Sequence, residues 1–152
     1  MKKIILLLVI CLLFISSGCN CNKNSEVKIY NDSTSWKEYL DDFYEAINTE
    51  GAKYAAFDLR SKVSYEIEHL RHFQNYDLNK GNIEEFNSYL TKNYASKYTI
   101  YIYIETLDNL EYFDDLLNTY KEVHIYIGDY ESFRSLGEEL FIFDSGEYDC
   151  NC

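Results

Sequence analysis

Between residues 27 and 143 the chain switches repeatedly between two spacings of apolar residues, about 2 and about 3.6 positions apart. VKIY (27–30) predicts a short strand. SWKEYLDDFYEAIN (35–48) follows, with Trp36, Leu40, Phe43, Tyr44 and Ile47 forming one helical stripe and Ser35 and Glu38 spaced as a capping box. KYAAFDL (53–59), with Gly51 closing its upstream side, predicts a second strand, and KVSYEIEHL (62–70) a short helix. GNIEEFNSYLTKNY (81–94) predicts another helix, with Asn82 as its cap and Ile83, Phe86, Leu90 and Tyr94 in register.

YTIYIYI (98–104) alternates cleanly, with Ile100, Ile102 and Ile104 facing one way and Thr99, Tyr101 and Tyr103 the other. Both sets are bulky, which suits a central parallel strand covered by helices on each side. LDNLEYFDDLLNTY (107–120) predicts a helix with the stripe Leu107, Leu110, Phe113, Leu117 and Tyr120. EVHIYIG (122–128) predicts a strand, DYESFRSLG (129–137) a short helix, and LFIF (140–143) a last strand or a packed tail. Strands alternating with helices predict an α/β domain, a central parallel sheet with helices on both faces. There are no internal repeats or low-complexity segments.

The N-terminus stands apart from this pattern. MKKIILLLVICLLFISSGC has Lys2 and Lys3, a mostly apolar run from Ile4 to Ile15, then small residues up to Cys19. Positive, apolar and small, in that order, is an export signal, and the run is too short to span a membrane. Residues Ile15 to Cys19 resemble the bacterial lipobox, which implies cleavage before Cys19 and lipid modification of its thiol. An ordinary signal peptidase cutting the same bond is the alternative. The reading divides the chain into a signal peptide (1–18), a polar tether (19–26), one folded domain (27–144) and an acidic Cys-containing tail (145–152). Cleavage leaves 134 residues, enough for a core without disulfide staples.

Removing Lys2 and Lys3 leaves 12 basic against 26 acidic residues. Such a surface repels polyanions, so no nucleic-acid partner is expected. With 16 Tyr, 9 Phe and no Pro, the chain has ample core material, which excludes intrinsic disorder. The expected product is a globular domain tethered by lipid to a bacterial cell membrane or outer membrane, on its extracytoplasmic side.

Two segments carry a family resemblance. KYAAFDLRSKVSYEIEHL resembles the first signature of rhodanese-like domains, a strand ending hydrophobic-Asp-hydrophobic-Arg, then Tyr-Glu and Gly-His-Ile. The matching positions are Asp58, Arg60, Tyr65, Glu66, His69 and Leu70, with Glu68 in place of the Gly. VHIYIGDYESF resembles the closing signature, a strand leading to Gly-Gly and an aromatic residue. Gly128 keeps the first Gly, Asp129 replaces the second and Phe133 takes the aromatic position. Order and spacing agree from about residue 27 to residue 143.

The resemblance implies a catalytic loop, Cys-x-x-Gly-x-Arg, after the central strand. Its Cys would carry sulfur as a persulfide, with backbone N–H groups and a helix N-terminus holding the anion. The loop falls on Ile104, Glu105, Thr106, Leu107, Asp108 and Asn109, with Ile104 for the nucleophile, Leu107 for the Gly and Asn109 for the Arg. Thr106 or Asp108 could cap the following helix from within the chain, and Glu105 adds negative charge beside it. The position reads as a retired active site.

The remaining chemistry sits at the ends. Cys19/Cys21 and Cys150/Cys152 are Cys-x-Cys pairs, and after lipidation of Cys19 three thiols remain: Cys21, Cys150 and Cys152. One disulfide can form outside the cytoplasm, either Cys150–Cys152 or Cys21 to one of that pair, leaving one thiol over. A passive bridge, idle thiols, and a redox or sulfur-carrying tail are all open. Asp144, Glu147, Asp149, Cys150 and Cys152, with His69 and His72, offer metal-ligand types, but at no zinc-site spacing. No metal or cofactor is expected, the tail carboxylates read as solvated, His69 as structural, and Asp58 with Arg60 as an ion pair closing a strand end. The leading expectation is an envelope module that binds an unknown protein partner without sulfurtransferase activity. The alternative is sulfur or thiol chemistry at the terminal Cys pair.

Overall fold

The computed structural model describes residues 26–108 and 110–147. Five strands form one parallel sheet: β1 (Glu26–Tyr30), β2 (Tyr54–Asp58), β4 (Phe73–Asn75), β5 (Thr99–Ile104) and β6 (Glu122–Ile127), in the order β1-β6-β5-β2-β4. β5 therefore lies in the middle, as its two bulky faces demand. Tyr101 sits opposite Ala56 of β2 and His124 of β6. A separate antiparallel ribbon joins β3 (His69–Leu70) to β7 (Phe143–Asp144).

Helices cover both faces. On one side α3 (Ile83–Asn93) and α4 (Asp114–Thr119) pack Phe86, Leu90 and Leu116 onto Ile100, Ile102, Ile104, Val123 and Ile125. On the other, α1 (Ser33–Asn48) and α5 (Tyr130–Gly137) pack Tyr39, Leu40, Phe43 and Phe133 onto Tyr101, Tyr103 and Tyr126. The period-2 split of β5 into Ile and Tyr positions is thus the split between two cores. Asn82 caps α3 by accepting from the Glu85 amide, as its spacing predicts.

Several elements differ from the sequence reading. The box that starts α1 is Asp32 with Ser35, not Ser35 with Glu38. Asp32 is extended, accepts from the Thr34 and Ser35 amides, and donates its own backbone N–H to the Ser35 hydroxyl oxygen. The helix expected over 62–70 is α2 (Lys62–Ile67), capped by Ser61. It stops because Glu68 is extended, and His69 and Leu70 pair with the C-terminal segment instead. β4 has no counterpart in the predicted elements; three residues long, it joins the sheet edge beside β2.

The helix expected over 107–120 begins late. After β5 comes a loop, then a 3-10 turn at Leu110–Phe113, and only then α4. Among the described residues no side chain caps α4, whose N-cap position is Phe113. Thr106 and Asp108 lie before the 3-10 turn and are not the N-cap of α4. Leu107 is half-buried against the aliphatic core, which explains its apparent place in the helical stripe. The tail carboxylates are also less free than expected. Asp144 accepts two bonds from Arg71, at 2.7 and 2.9 Å, and Glu147 accepts one from Lys62 at 2.6 Å.

Candidate functional site

In a parallel sheet the natural binding crevice lies beyond the carboxyl ends of the strands, where neighbouring connections leave to opposite faces. Here that point falls between β5, whose connection runs to the aliphatic side, and β6, whose connection runs to the aromatic side. It is built from the loop after β5, Gly128 after β6, and the turn after β2.

The loop opens on Ile104, only 7% exposed and part of the aliphatic core. Its carbonyl accepts from the Gly128 amide at 3.2 Å, tying the ends of β5 and β6 together. Glu105, Thr106 and Asp108 are exposed. Asn109, the position matching the family's Arg, lies outside the described residues. Among the described residues the loop offers no thiol and no cation. What it offers solvent is carboxylate, which repels an anion.

Gly128 explains itself by close approach. A Cβ there would lie 2.6 Å from Trp36 Cζ2 and 2.8 Å from Cε2. The Trp36 indole N–H donates to the Ile127 carbonyl at 2.9 Å, and its ring stacks on Tyr126. Trp36 therefore lies over the end of β6, where a ligand would otherwise reach the backbone. Asp129 caps α5 by accepting from the Ser132 amide, which holds its carboxyl below the usual range. Phe133 is buried and stacks on Tyr103 with centroids 4.6 Å apart.

The turn after β2 holds Asp58 and Arg60, both buried. Arg60 Nε donates to both Asp58 oxygens at 3.0–3.1 Å, and Nη2 donates to Asp58 Oδ2 at 2.6 Å and to the Glu68 carbonyl at 2.8 Å. The guanidinium lies 3.6 Å over the Tyr130 ring and 5.4 Å from that of Tyr103. Burial opposes its charge, yet the Asp58 carboxylate beside it raises its pKa above the ordinary value. Asn75 Nδ2 donates to the Asp58 and Arg60 carbonyls, pinning β4 to the same turn. The ion pair expected at the strand end is in place, and it is structural closure: the charge is spent inside the protein.

His69 is equally committed. Its ring stacks on Tyr65 at 3.8 Å, its Nδ1 contacts the Tyr65 carbonyl at 2.9 Å, and the Tyr65 hydroxyl donates to the Phe73 carbonyl. Glu66 accepts from the Gly146 amide through its backbone carbonyl, and Leu70 is core. His72 adopts a positive φ of 78° in the turn between β3 and β4, and burial lowers its pKa. Cys19, Cys21, Asp149, Cys150 and Cys152 lie outside the described residues.

Two groupings escape the sequence reading. One is Trp36, supplied from α1 to cover Gly128, whose neighbour Tyr126 belongs to the sheet. The other is a polar chain through Tyr30, Asp42, Glu122 and His124, on the aromatic side toward the amino ends of β5 and β6, with Tyr30 and His124 buried and the two carboxylates half-buried at its ends. EVHIYI does contain its signal. Period 2 puts Glu122 and His124 on the same face as Tyr126, opposite Val123, Ile125 and Ile127. Polar residues at inward positions of a strand need partners. The chain matches no protein-family model, and no curated protein is significantly similar to it.

Proposed function

We propose that this protein is a rhodanese-like domain without sulfurtransferase activity, lipid-anchored through Cys19 in the bacterial envelope and acting there as a binding module for a protein partner. Ile104 carries the reading. It stands where the resemblance implies a nucleophile, at the end of the central strand, and its side chain is packed into the core. Support comes also from the spent Arg60 charge, the exposed carboxylates of the loop and Trp36 lying over Gly128. Each of these works against an anionic sulfur donor.

Intact-mass spectrometry of the full-length protein, extracted in detergent and incubated with thiosulfate, tests this reading. The expected result is a chain starting at a lipid-modified Cys19 that gains no sulfur. One added sulfur on Cys150 or Cys152 would overturn it in favour of sulfur transfer through the tail. An unmodified Cys19 would overturn the anchor.

A further inference from the structure

Tyr30, Asp42, His124 and Glu122 form an unbroken line of short contacts. The Tyr30 hydroxyl lies 2.9 Å from Asp42 Oδ2 and 2.8 Å from His124 Nδ1, and His124 Nε2 lies 3.0 Å from Glu122 Oε1. Tyr30 and His124 are 2% and 1% exposed, so solvent does not insert between them. Each of the three contacts needs one hydrogen between its heavy atoms. The tyrosine hydroxyl supplies one and a neutral imidazole supplies one, while ionised carboxylates supply none.

Two hydrogens cannot satisfy three contacts. If Nδ1 carries the imidazole hydrogen, Tyr30 donates to Asp42 and the bare Nε2 faces the Glu122 carboxylate. If Nε2 carries it, Tyr30 must donate to Nδ1, and its oxygen faces the Asp42 carboxylate with nothing between. Satisfying all three contacts at once takes one more proton than this count.

We propose that Asp42–Tyr30–His124–Glu122 is a proton-binding chain that closes on taking up one proton from solvent. On losing that proton it parts at one end, Tyr30–Asp42 or His124–Glu122. The structure shows the closed form. Because Asp42 belongs to α1, Tyr30 to β1 and the other two to β6, the closed chain ties this helix to the sheet edge, and a parting at Tyr30–Asp42 releases that tie. The chain borders a hollow of about 300 Å³ whose rim includes Glu45, Ala46, Thr49 and Thr99.

The surrounding charges fit this reading. From β1, the Lys28 ammonium lies 3.2 Å from Asp42 Oδ2 and 3.8 Å from Glu122, with Glu26 on the same strand. From α1, Glu38 and Glu45 add negative charge around the Asp42 end. From β5, Tyr101 stacks on the imidazole at 4.5 Å and donates its hydroxyl to the Asp42 carbonyl. Lys28 balances one of the two carboxylates, and a proton on His124 balances the other. Burial lowers the imidazole pKa below its ordinary value, against the upward pull of Glu122 and Asp42. The closed form therefore belongs to the acid side and the parted form to neutral pH.

Histidine-resolved NMR of the full-length protein, titrated from about pH 4 to 8, reads the chain directly. The wild type is expected to show a His124 step, with both ring nitrogens protonated on the acid side. Glu122→Gln should abolish the step, because the amide N–H donates to a bare Nε2 and closes the chain without an extra proton. Tyr30→Phe is not diagnostic, since His124 Nδ1 also lies 3.5 Å from Asp42 Oδ2 and keeps a carboxylate at each end of the ring. Unchanged His69 and His72 signals show that the Glu122→Gln variant is folded. A wild type without the step, or a step that persists in Glu122→Gln, would overturn the proposal.

Discussion

The two faces of the sheet solve the same packing problem with different materials. On the α3/α4 side, β5 and β6 present Ile100, Ile102, Ile104, Val123 and Ile125, side chains with no polar atom to satisfy. On the α1/α5 side the same strands present Tyr101, Tyr103, His124 and Tyr126, joined by Tyr30 and Tyr39. Every hydroxyl buried there must find an acceptor or be left at a cost. Three are bonded to backbone carbonyls: Tyr39 to Ile102, Tyr101 to Asp42 and Tyr103 to Gly128. The aliphatic face is held mainly by shape and area, with the Tyr120 hydroxyl donating to the Tyr94 carbonyl at its edge. The aromatic face adds directional bonds, which fix where α1 and the end of β6 must lie.

The largest expected effect comes from the charge at the edge of the aromatic face. Asp58→Ala would leave Arg60 buried over Tyr130 with its main partner gone, a loss of about 3–5 kcal/mol in stability. Chemical denaturation measures it directly. Replacing Asp58 and Arg60 together by apolar residues should cost less than removing Asp58 alone. If the double variant were the worse of the two, the pair would be a net source of stability rather than a mutually dependent closure.

A smaller effect is expected where this face meets the strand ends. Gly128→Ala places a methyl group against the Trp36 ring, which cannot swing away without losing its bond to the Ile127 carbonyl. Overpacking of this kind costs about 1–3 kcal/mol. Combining Gly128→Ala with Trp36→Leu should cost less than the sum of the two single changes, since the clash needs both partners. Strict additivity would show that Trp36 is not what requires a glycine at 128.

The aliphatic face was the more legible of the two in the sequence. Alternation in YTIYIYI separates the cores, and the helical stripes of α1 and α3 follow from spacing alone. The α/β class and the parallel sheet follow as well. β4 was not legible, because three residues carry too little pattern and only Phe73 is buried. The stripe over 107–120 misled for another reason. Leu107 is apolar because the loop packs onto the core, and a loop residue that packs looks like a helix residue that packs. Asp58 and Arg60 could be paired from their spacing, being two residues apart. The chain through His124 could not, since Tyr30 and Asp42 lie 94 and 82 positions away from it and no local pattern links them. His124 itself carried a warning, as a polar residue at an inward position.

The finest distinction lies within the aromatic face. Tyr39 and Tyr126 are both fully buried and their rings meet edge to face at 5.5 Å. The Tyr39 hydroxyl donates to Ile102, while that of Tyr126 has no hydrogen-bond partner among the described residues. Burial pushes both phenol pKa values up, so neither ionises near neutral pH. Replacing each by Phe removes one oxygen and leaves the ring packing intact. Tyr39→Phe should lose about 0.5–1.5 kcal/mol, the net worth of a hydrogen bond. Tyr126→Phe should be neutral or gain up to about 1 kcal/mol, since it deletes a desolvated group that receives nothing in return. Equilibrium unfolding of the two variants side by side decides the matter. Opposite signs would mean that the bonded hydroxyls, not the rings that carry them, set this face apart from the aliphatic one. A comparable loss in both would mean that Tyr126 has a partner, with buried water the first one to seek.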